Sequence, residues 1–146
     1  MVCEMTDVAL SAVDPTPDEV QYLEDRIYEF NSSACGIGGG ESLAFFVRER
    51  DRIVAGICGN TWGGTCEVRQ FWVEPSQRGR GLGTALFDAV EEEARRRGCT
   101  QLVLMTFSFQ AGAFYERQGF DVVATIDNHP RGYRNLLMRK PLTPES

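Results

Sequence analysis

The chain has one histidine, His129, and no Cys-x-x-Cys pair among its five cysteines, Cys3, Cys35, Cys58, Cys66 and Cys99. A zinc site draws on several such ligands at short spacing, so no metal is expected. An odd, scattered set of thiols also speaks against a disulfide framework and for reduced cysteines in a cytoplasmic protein. No apolar run approaches the roughly 18 residues of a membrane span. The first ten residues, MVCEMTDVAL, carry acids and lack a basic region followed by an apolar core, so neither a secretion signal nor a membrane partner is expected. A basic excess is missing too. Net charge is -6, which argues against a nucleic-acid partner and suits a cationic one.

What remains is an ordinary globular composition, 42% hydrophobic and 25% charged over 146 residues. That is enough chain for one domain, 1–146, with one sizeable core. Thr16-Pro17-Asp18-Glu19 reads as a helix start, with Thr16 as cap, Pro17 at the first helical position and Glu19 completing a capping box. Val20, Leu23, Ile27 and Phe30 then recur at helical spacing, which predicts a helix to about Asn31. CGIGGGES (35–42) reads as a loop. LAFFVRER, RIVAGICG and CEVRQFWV predict a three-stranded meander divided at Asp51-Arg52 and at NTWGGT.

A second helix is expected from about Gly81 to Arg97, with Leu82, Leu86, Ala89 and Val90 as its inner stripe. Glu91–Arg95, Glu92–Arg96 and Glu93–Arg97 read as acid-first pairs on a solvated face. TQLVLMTFS predicts a buried strand, QAGAFYERQGF a short helix stopped by Gly119, and DVVATI and YRNLLMRK two final strands. The resulting order is β, α, three β, α, β, α, β, β. It gives an α/β class with a mixed sheet of about seven strands and helices on both faces.

One stretch carries chemistry. VEPSQRGRGLG (73–83) places Arg78, Arg80 and three glycines between a strand and a helix. The first amides of a helix lack intrahelical acceptors and sit at the positive end of its dipole. Glycines allow an anion to approach them closely, and arginines add charge-assisted bonds, so the stretch suits a pyrophosphate. The alternative reading is a tight strand-to-helix connection with solvated arginines. Neither a P-loop nor GxGxxG fits, because no lysine precedes Thr84 and the glycines are Gly79, Gly81 and Gly83.

The stretch resembles the acyl-CoA pyrophosphate loop of the GNAT superfamily of N-acetyltransferases, Gln/Arg-x-x-Gly-x-Gly/Ala after Val-x-Pro. Arg78, Gly81, Gly83, Val73 and Pro75 fill it. Phe114-Tyr115-Glu116-Arg117-Gln118-Gly119-Phe120 matches the superfamily's Phe-Tyr-Glu-x-x-Gly-Phe helix. The two motifs stand about thirty residues apart, in the expected order. The resemblance implies an acyl-CoA N-acyltransferase-like fold and acetyl-CoA as co-substrate. It also implies transfer of an acetyl group to a primary amine.

The roles it implies fall on particular residues. The backbone of Phe71, Trp72 and Val73 would hold the pantetheine arm, and Arg78, Gly79, Arg80, Gly81, Leu82, Gly83 and Thr84 the pyrophosphate. An asparagine often stands seven residues before the motif tyrosine in that superfamily. Ser108 stands there in this chain, with Gln110 nearby. Tyr115 would be the acid for the departing thiolate, and a backbone N–H near Val73 would meet the oxyanion. Glu67 is the candidate base or an ion-pair partner of Arg69. Strict alternation puts Glu67, Arg69, Phe71 and Val73 on one face.

His129 and Trp62 border the segments expected to form an acceptor pocket, with no role fixed for either. Cys66 and Cys99 read as packing residues. The acidic chain suggests a cationic small acceptor, such as an aminoglycoside-like compound, a polyamine or an amino-acid derivative. A protein N-terminus or lysine is the alternative within the enzyme class. A non-catalytic acyl-CoA sensor is the alternative outside it. The superfamily is compatible with a homodimer.

Overall fold

The computed structural model describes Leu10 and residues 12–143, and the chain divides into two compact units after Ile37. The first contains α1, Pro17–Cys35. Its capping box is complete. Thr16 N donates to Glu19 Oε1 at 2.8 Å, and Glu19 N donates to Thr16 Oγ1 at 3.2 Å. Gly36, at φ 74°, closes the helix about four residues beyond the expected end. Val20, Leu23, Ile27 and Phe30 are all exposed.

The second unit holds a six-stranded mixed sheet. Its strands are β1 (Glu41–Glu49), β2 (Arg52–Trp62), β3 (Thr65–Val73), β4 (Gln101–Phe107), β5 (Asp121–Asp127) and β6 (Arg134–Pro141). Their order across the sheet is β1-β2-β3-β4-β6-β5, and only the β3–β4 pair is parallel. The α/β class therefore holds, with six strands among the described residues rather than about seven. The strand expected ahead of the first helix falls in a segment that lies mostly outside them. β2 and β3 are joined by a two-residue turn at Gly63-Gly64, with φ 59° and 87°, the positive pair that a tight hairpin requires.

After β3 the chain makes a single 3-10 turn, Pro75–Gln77, and then enters α2, Leu82–Arg96. The third helix, α3, is Gly112–Arg117. The core lies between the sheet and these two helices. Phe71 of β3 meets Phe87 of α2 at 5.0 Å and stacks on Phe114 of α3 at 5.5 Å, so both helices lie on the side that Phe71 faces. Leu86, Val90 and Ala94 of α2 pack with Ala55, Ile57, Leu102, Leu104 and Met138 of the sheet. The opposite side of the sheet exposes Phe46, Trp72, Met105 and Leu137.

Two expectations are corrected. The inner stripe of α2 includes Phe87 and Glu91, and Glu91 is only 6% exposed. Its carboxylate pairs with Lys140 of β6, while Arg95 Nε donates to the Thr143 carbonyl at 3.1 Å. The Glu91–Arg95 surface pair is thus absent, because the helix turns Glu91 inward, where a cation from another element reaches it. Glu92–Arg96 and Glu93–Arg97 do form.

The second correction concerns β3. Gly59 of β2 pairs with Val68, whereas the adjacent Cys58 pairs with Gln70, so Arg69 is an extra residue in the ladder. Such a bulge reverses the phase of alternation. Cys66 and Val68 face the core before it, and Phe71 and Val73 after it, so Glu67 lies on the face opposite Phe71 and Val73. Gly59 makes the bulge feasible. A Cβ there would stand 1.9 Å from the Glu67 carbonyl oxygen.

Candidate active site

β3 and β4 pair only through Thr65–Val68 and Gln101–Leu104. Beyond Val68 the edge of β3 toward β4 has no strand partner, and a split opens in the sheet. A cleft of about 800 Å³ lies there, bounded by Phe71–Val73 of β3, the start of α2, and α3. Unpaired strand edge, helix N-terminus and motif tyrosine thus border a single cavity.

The helix start is free of side-chain caps. Gly81, at φ 78°, is the N-cap residue and provides no side-chain capping bond. The amides of Leu82, Gly83 and Thr84 precede the first intrahelical donor, Ala85 N, which reaches the Gly81 carbonyl at 3.0 Å. Gly83 also lets the aromatic floor approach, because a Cβ there would stand 3.1 Å from both the Phe71 and Phe114 rings. Arg78 lines the cleft, and its Nε donates to the Val73 carbonyl at 3.0 Å. Arg80 turns elsewhere, donating to Gln77 Oε1 and standing 3.7 Å from Glu49.

Tyr115 is 7% exposed and borders the same cleft. Phe71, Phe87, Phe114 and Phe120 surround its ring at 5.8 to 6.1 Å between centroids. Burial pushes its phenol pKa up, and a hydrogen bond with Thr106 of β4 works in the opposite direction. A phenol with a raised pKa stays protonated and is able to donate. Thr106 Oγ1 donates to Gln110 Oε1 at 2.8 Å, and the same carboxamide oxygen accepts from Phe107 N at 2.8 Å.

Of the residues singled out from the sequence, Phe71, Trp72, Val73, Arg78, Gly79, Gly81, Leu82, Gly83, Thr84, Gln110 and Tyr115 all line the cleft. Arg80, Ser108 and Glu67 stand outside that lining. Ser108 Oγ accepts from Arg134 N at 3.0 Å, which ties it to the start of β6. Glu67 is half exposed and stands 3.5 Å from Arg69. Cys66 is buried, and burial raises its thiol to about 12, which leaves an inert packing residue. His129 meets the Phe107 ring at 5.6 Å.

Sequence reasoning passed over Gln118, which donates to Thr84 Oγ1 at 3.1 Å across the cleft. It also passed over Thr106. The signal for Thr106 was present, since it is a polar residue in phase with buried Leu102 and Leu104 in an otherwise apolar strand.

A family model described as "Acetyltransferase (GNAT) family" matches residues 7–120. The chain belongs to that family. This GNAT protein is an acetyl-CoA-dependent N-acetyltransferase. It is 35% identical to blasticidin-S acetyltransferase of Streptomyces morookaense, over 92% of this chain and 88% of that one. It is 36% identical to IAA acetyltransferase of Azospirillum brasilense, over 68% and 69% of the two chains. Among solved structures it resembles an acetyltransferase from Bacillus cereus at TM-score 0.74 and 26% identity, covering 91% of this chain and 98% of that one. No described helix of the GNAT chain is long and apolar enough to cross a membrane. Among the described residues no cluster of metal-ligating side chains occurs.

Proposed function

We propose that this GNAT enzyme transfers the acetyl group to the primary amine of a cationic small molecule. The observation that carries the reading is the continuity of one cleft from the uncapped start of α2, along the unpaired edge of β3, to the buried Tyr115 phenol. The amides of Leu82, Gly83 and Thr84, with Arg78, hold the pyrophosphate of acetyl-CoA. The free edge of β3 at Phe71 to Val73 bonds the pantetheine amides as an added strand would. Gln110 has its oxygen occupied and turns its amide N–H groups to the same arm. Net charge -6 favours a cation as acceptor, and the relative that acetylates blasticidin-S supports a small molecule.

In the reaction the free amine attacks the thioester carbonyl, the new C–N bond forms, the nitrogen gives up one proton to water and the C–S bond breaks; Tyr115 regains its proton from water afterwards. A backbone N–H near Val73 meets the oxyanion, and Tyr115 donates its proton to the departing sulfur. An alkylammonium has a pKa near 10.4 and must lose a proton first. Glu67 accepts that proton, directly or through water, from the face of the sheet opposite Phe71.

The test is a panel of amines offered with acetyl-CoA while free thiol is followed. The panel includes aminoglycosides, polyamines, nucleoside antibiotics, amino-acid amides and lysine or N-terminal peptides. Turnover concentrated in cationic small molecules bears the reading out. Turnover confined to peptides moves the acceptor to proteins, and CoA binding with no turnover on any amine makes the chain a sensor.

A further inference from the structure

Gln118 closes α3 as its C-cap residue, and its Nε2 donates to Thr84 Oγ1 of α2 at 3.1 Å. Both side chains line the cleft, beside Arg78, Gly81 and Gly83. A carboxamide nitrogen carries only donors, so this bond engages a lone pair of the Thr84 hydroxyl. The Thr84 proton is left for another acceptor. Thr84 also stands in the first turn of α2, and its backbone N–H is one of the three amides ahead of Ala85 N. One residue thus brings two donors to the mouth of the helix, one from the backbone and one from the side chain. The oxygens of an ionised phosphate only accept. A hydroxyl beside them is useful when its proton faces them and harmful when its lone pairs do.

We propose that Gln118 is a positioning residue for the co-substrate, which donates to Thr84 Oγ1 and so commits the Thr84 proton to the pyrophosphate of acetyl-CoA. The proposal rests on the reading of the first α2 amides as the pyrophosphate cradle. The order of donation is Gln118 to Thr84 to phosphate. A hydroxyl that already accepts a bond is polarised into a better donor, so the two bonds reinforce each other. A helical threonine without such a partner is free to turn its proton back to the carbonyl four residues earlier. Gln118 stands three residues after Tyr115, so the same bond ties the helix of the proposed acid to the helix that opens on the anion.

Glutamine suits the task because it is neutral and presents donors. Glutamate has the same size, but its carboxylate only accepts. It would draw the Thr84 proton to itself and place a negative charge beside the diphosphate. Leucine fills similar space and leaves the hydroxyl unguided.

The experiment measures dissociation constants of CoA and 3′-dephospho-CoA by calorimetry, together with melting temperatures. The proteins are the parent, Gln118→Leu, Gln118→Glu, Thr84→Val, Thr84→Ser and the Gln118→Leu/Thr84→Val double variant. Thr84→Val is expected to weaken CoA binding about 10-fold, the low end for a hydrogen bond to a charged group, and Gln118→Leu about 3- to 10-fold. Gln118→Glu loses more than Gln118→Leu, while Thr84→Ser keeps most of the affinity. The double variant loses no more than Thr84→Val alone, because without the hydroxyl there is nothing for Gln118 to orient. The same ratios hold for 3′-dephospho-CoA, which retains the pyrophosphate. Parent-like affinity in Gln118→Leu overturns the proposal. So do additive losses in the double variant, a loss confined to CoA, or a loss that tracks a fall in melting temperature. If Thr84→Val does not fold, Thr84→Ala carries the same cycle. Amide shifts of ¹⁵N-labelled protein separate this proposal from the reading beneath it. If saturating CoA leaves Leu82, Gly83 and Thr84 in place, the pyrophosphate reading falls and the role of Gln118 with it. If those amides move while Gln118→Leu binds CoA like the parent, only Gln118 loses its role.

Discussion

Tyr115 sits in a cage of four phenylalanine rings, with a cleft in front of it. Burial in that cage pushes the phenol pKa up, which suits the proposed acid role. Tyr115→Phe removes the proton and keeps the ring packing. We expect kcat to fall roughly 100-fold, the low end for loss of a positioned acid, with the acetyl-CoA dissociation constant nearly unchanged. Steady-state kinetics with calorimetric binding checks the split, and equal losses in both would make Tyr115 a packing residue. Glu67 faces a sharper question. Its carboxylate stands 3.5 Å from Arg69, on the face away from Phe71. If it takes the amine proton, Glu67→Gln lowers kcat/KM for the amine about tenfold or more at neutral pH, and less as pH rises toward the ammonium pKa. Wild-type values at every pH would assign Glu67 to the exposed ion pair, worth little by itself.

At the scale of elements, the bulge at Arg69 does two things. It reverses the phase of β3, and it falls where β3 parts from β4. Gly59 permits it by leaving room for the Glu67 carbonyl. Gly59→Ala forces a Cβ into that oxygen, and we expect about 3 kcal/mol of destabilisation, measurable by urea unfolding. A variant as stable as the parent would show that β2 has room to shift. The C-terminus of α2 is fastened by Arg97, which bonds Glu93, Thr61 and the carbonyls of Glu41 and Ser42. The Arg96 and Arg97 guanidiniums hold the Glu93 carboxyl below its ordinary value of 4.5. A lowered folded-state pKa contributes stability above the unfolded value and loses it as pH falls through the folded one. Glu93→Gln should therefore melt earlier than the parent at pH 7, and the gap should close below about pH 4.5. A gap independent of pH would contradict the ionic origin.

The legibility of these features follows their range along the chain. The capping box at Thr16 and Glu19, the Gly63-Gly64 hairpin and the stop at Gly119 are local, and each was readable from a few adjacent residues. The loop from Arg78 to Thr84 and the tyrosine helix were readable because their chemistry requires fixed spacings. The bulge was not. It depends on a glycine in the neighbouring strand, and alternation within β3 alone points the wrong way. Glu91 looked like its neighbours Glu92 and Glu93, because nothing local reveals a lysine arriving from β6. Ser108 stands where the superfamily often has asparagine, and its hydroxyl oxygen accepts from the backbone N–H of Arg134, a bond that a distant residue supplies.

For the molecule as a whole, one sheet split along a single parallel seam brings a helix start, a free strand edge and a buried phenol to one cavity. Membership of the GNAT family supplies the reaction, and the cationic acceptor is the proposal the amine panel tests. The central claim is that the amides opening α2 hold the pyrophosphate of the co-substrate. Titrating ¹⁵N-labelled protein with CoA and following backbone amide shifts tests it directly. The account predicts that Leu82, Gly83 and Thr84 move most and saturate together with Phe71 to Val73. Saturable binding that leaves those amides in place and moves residues elsewhere would contradict it.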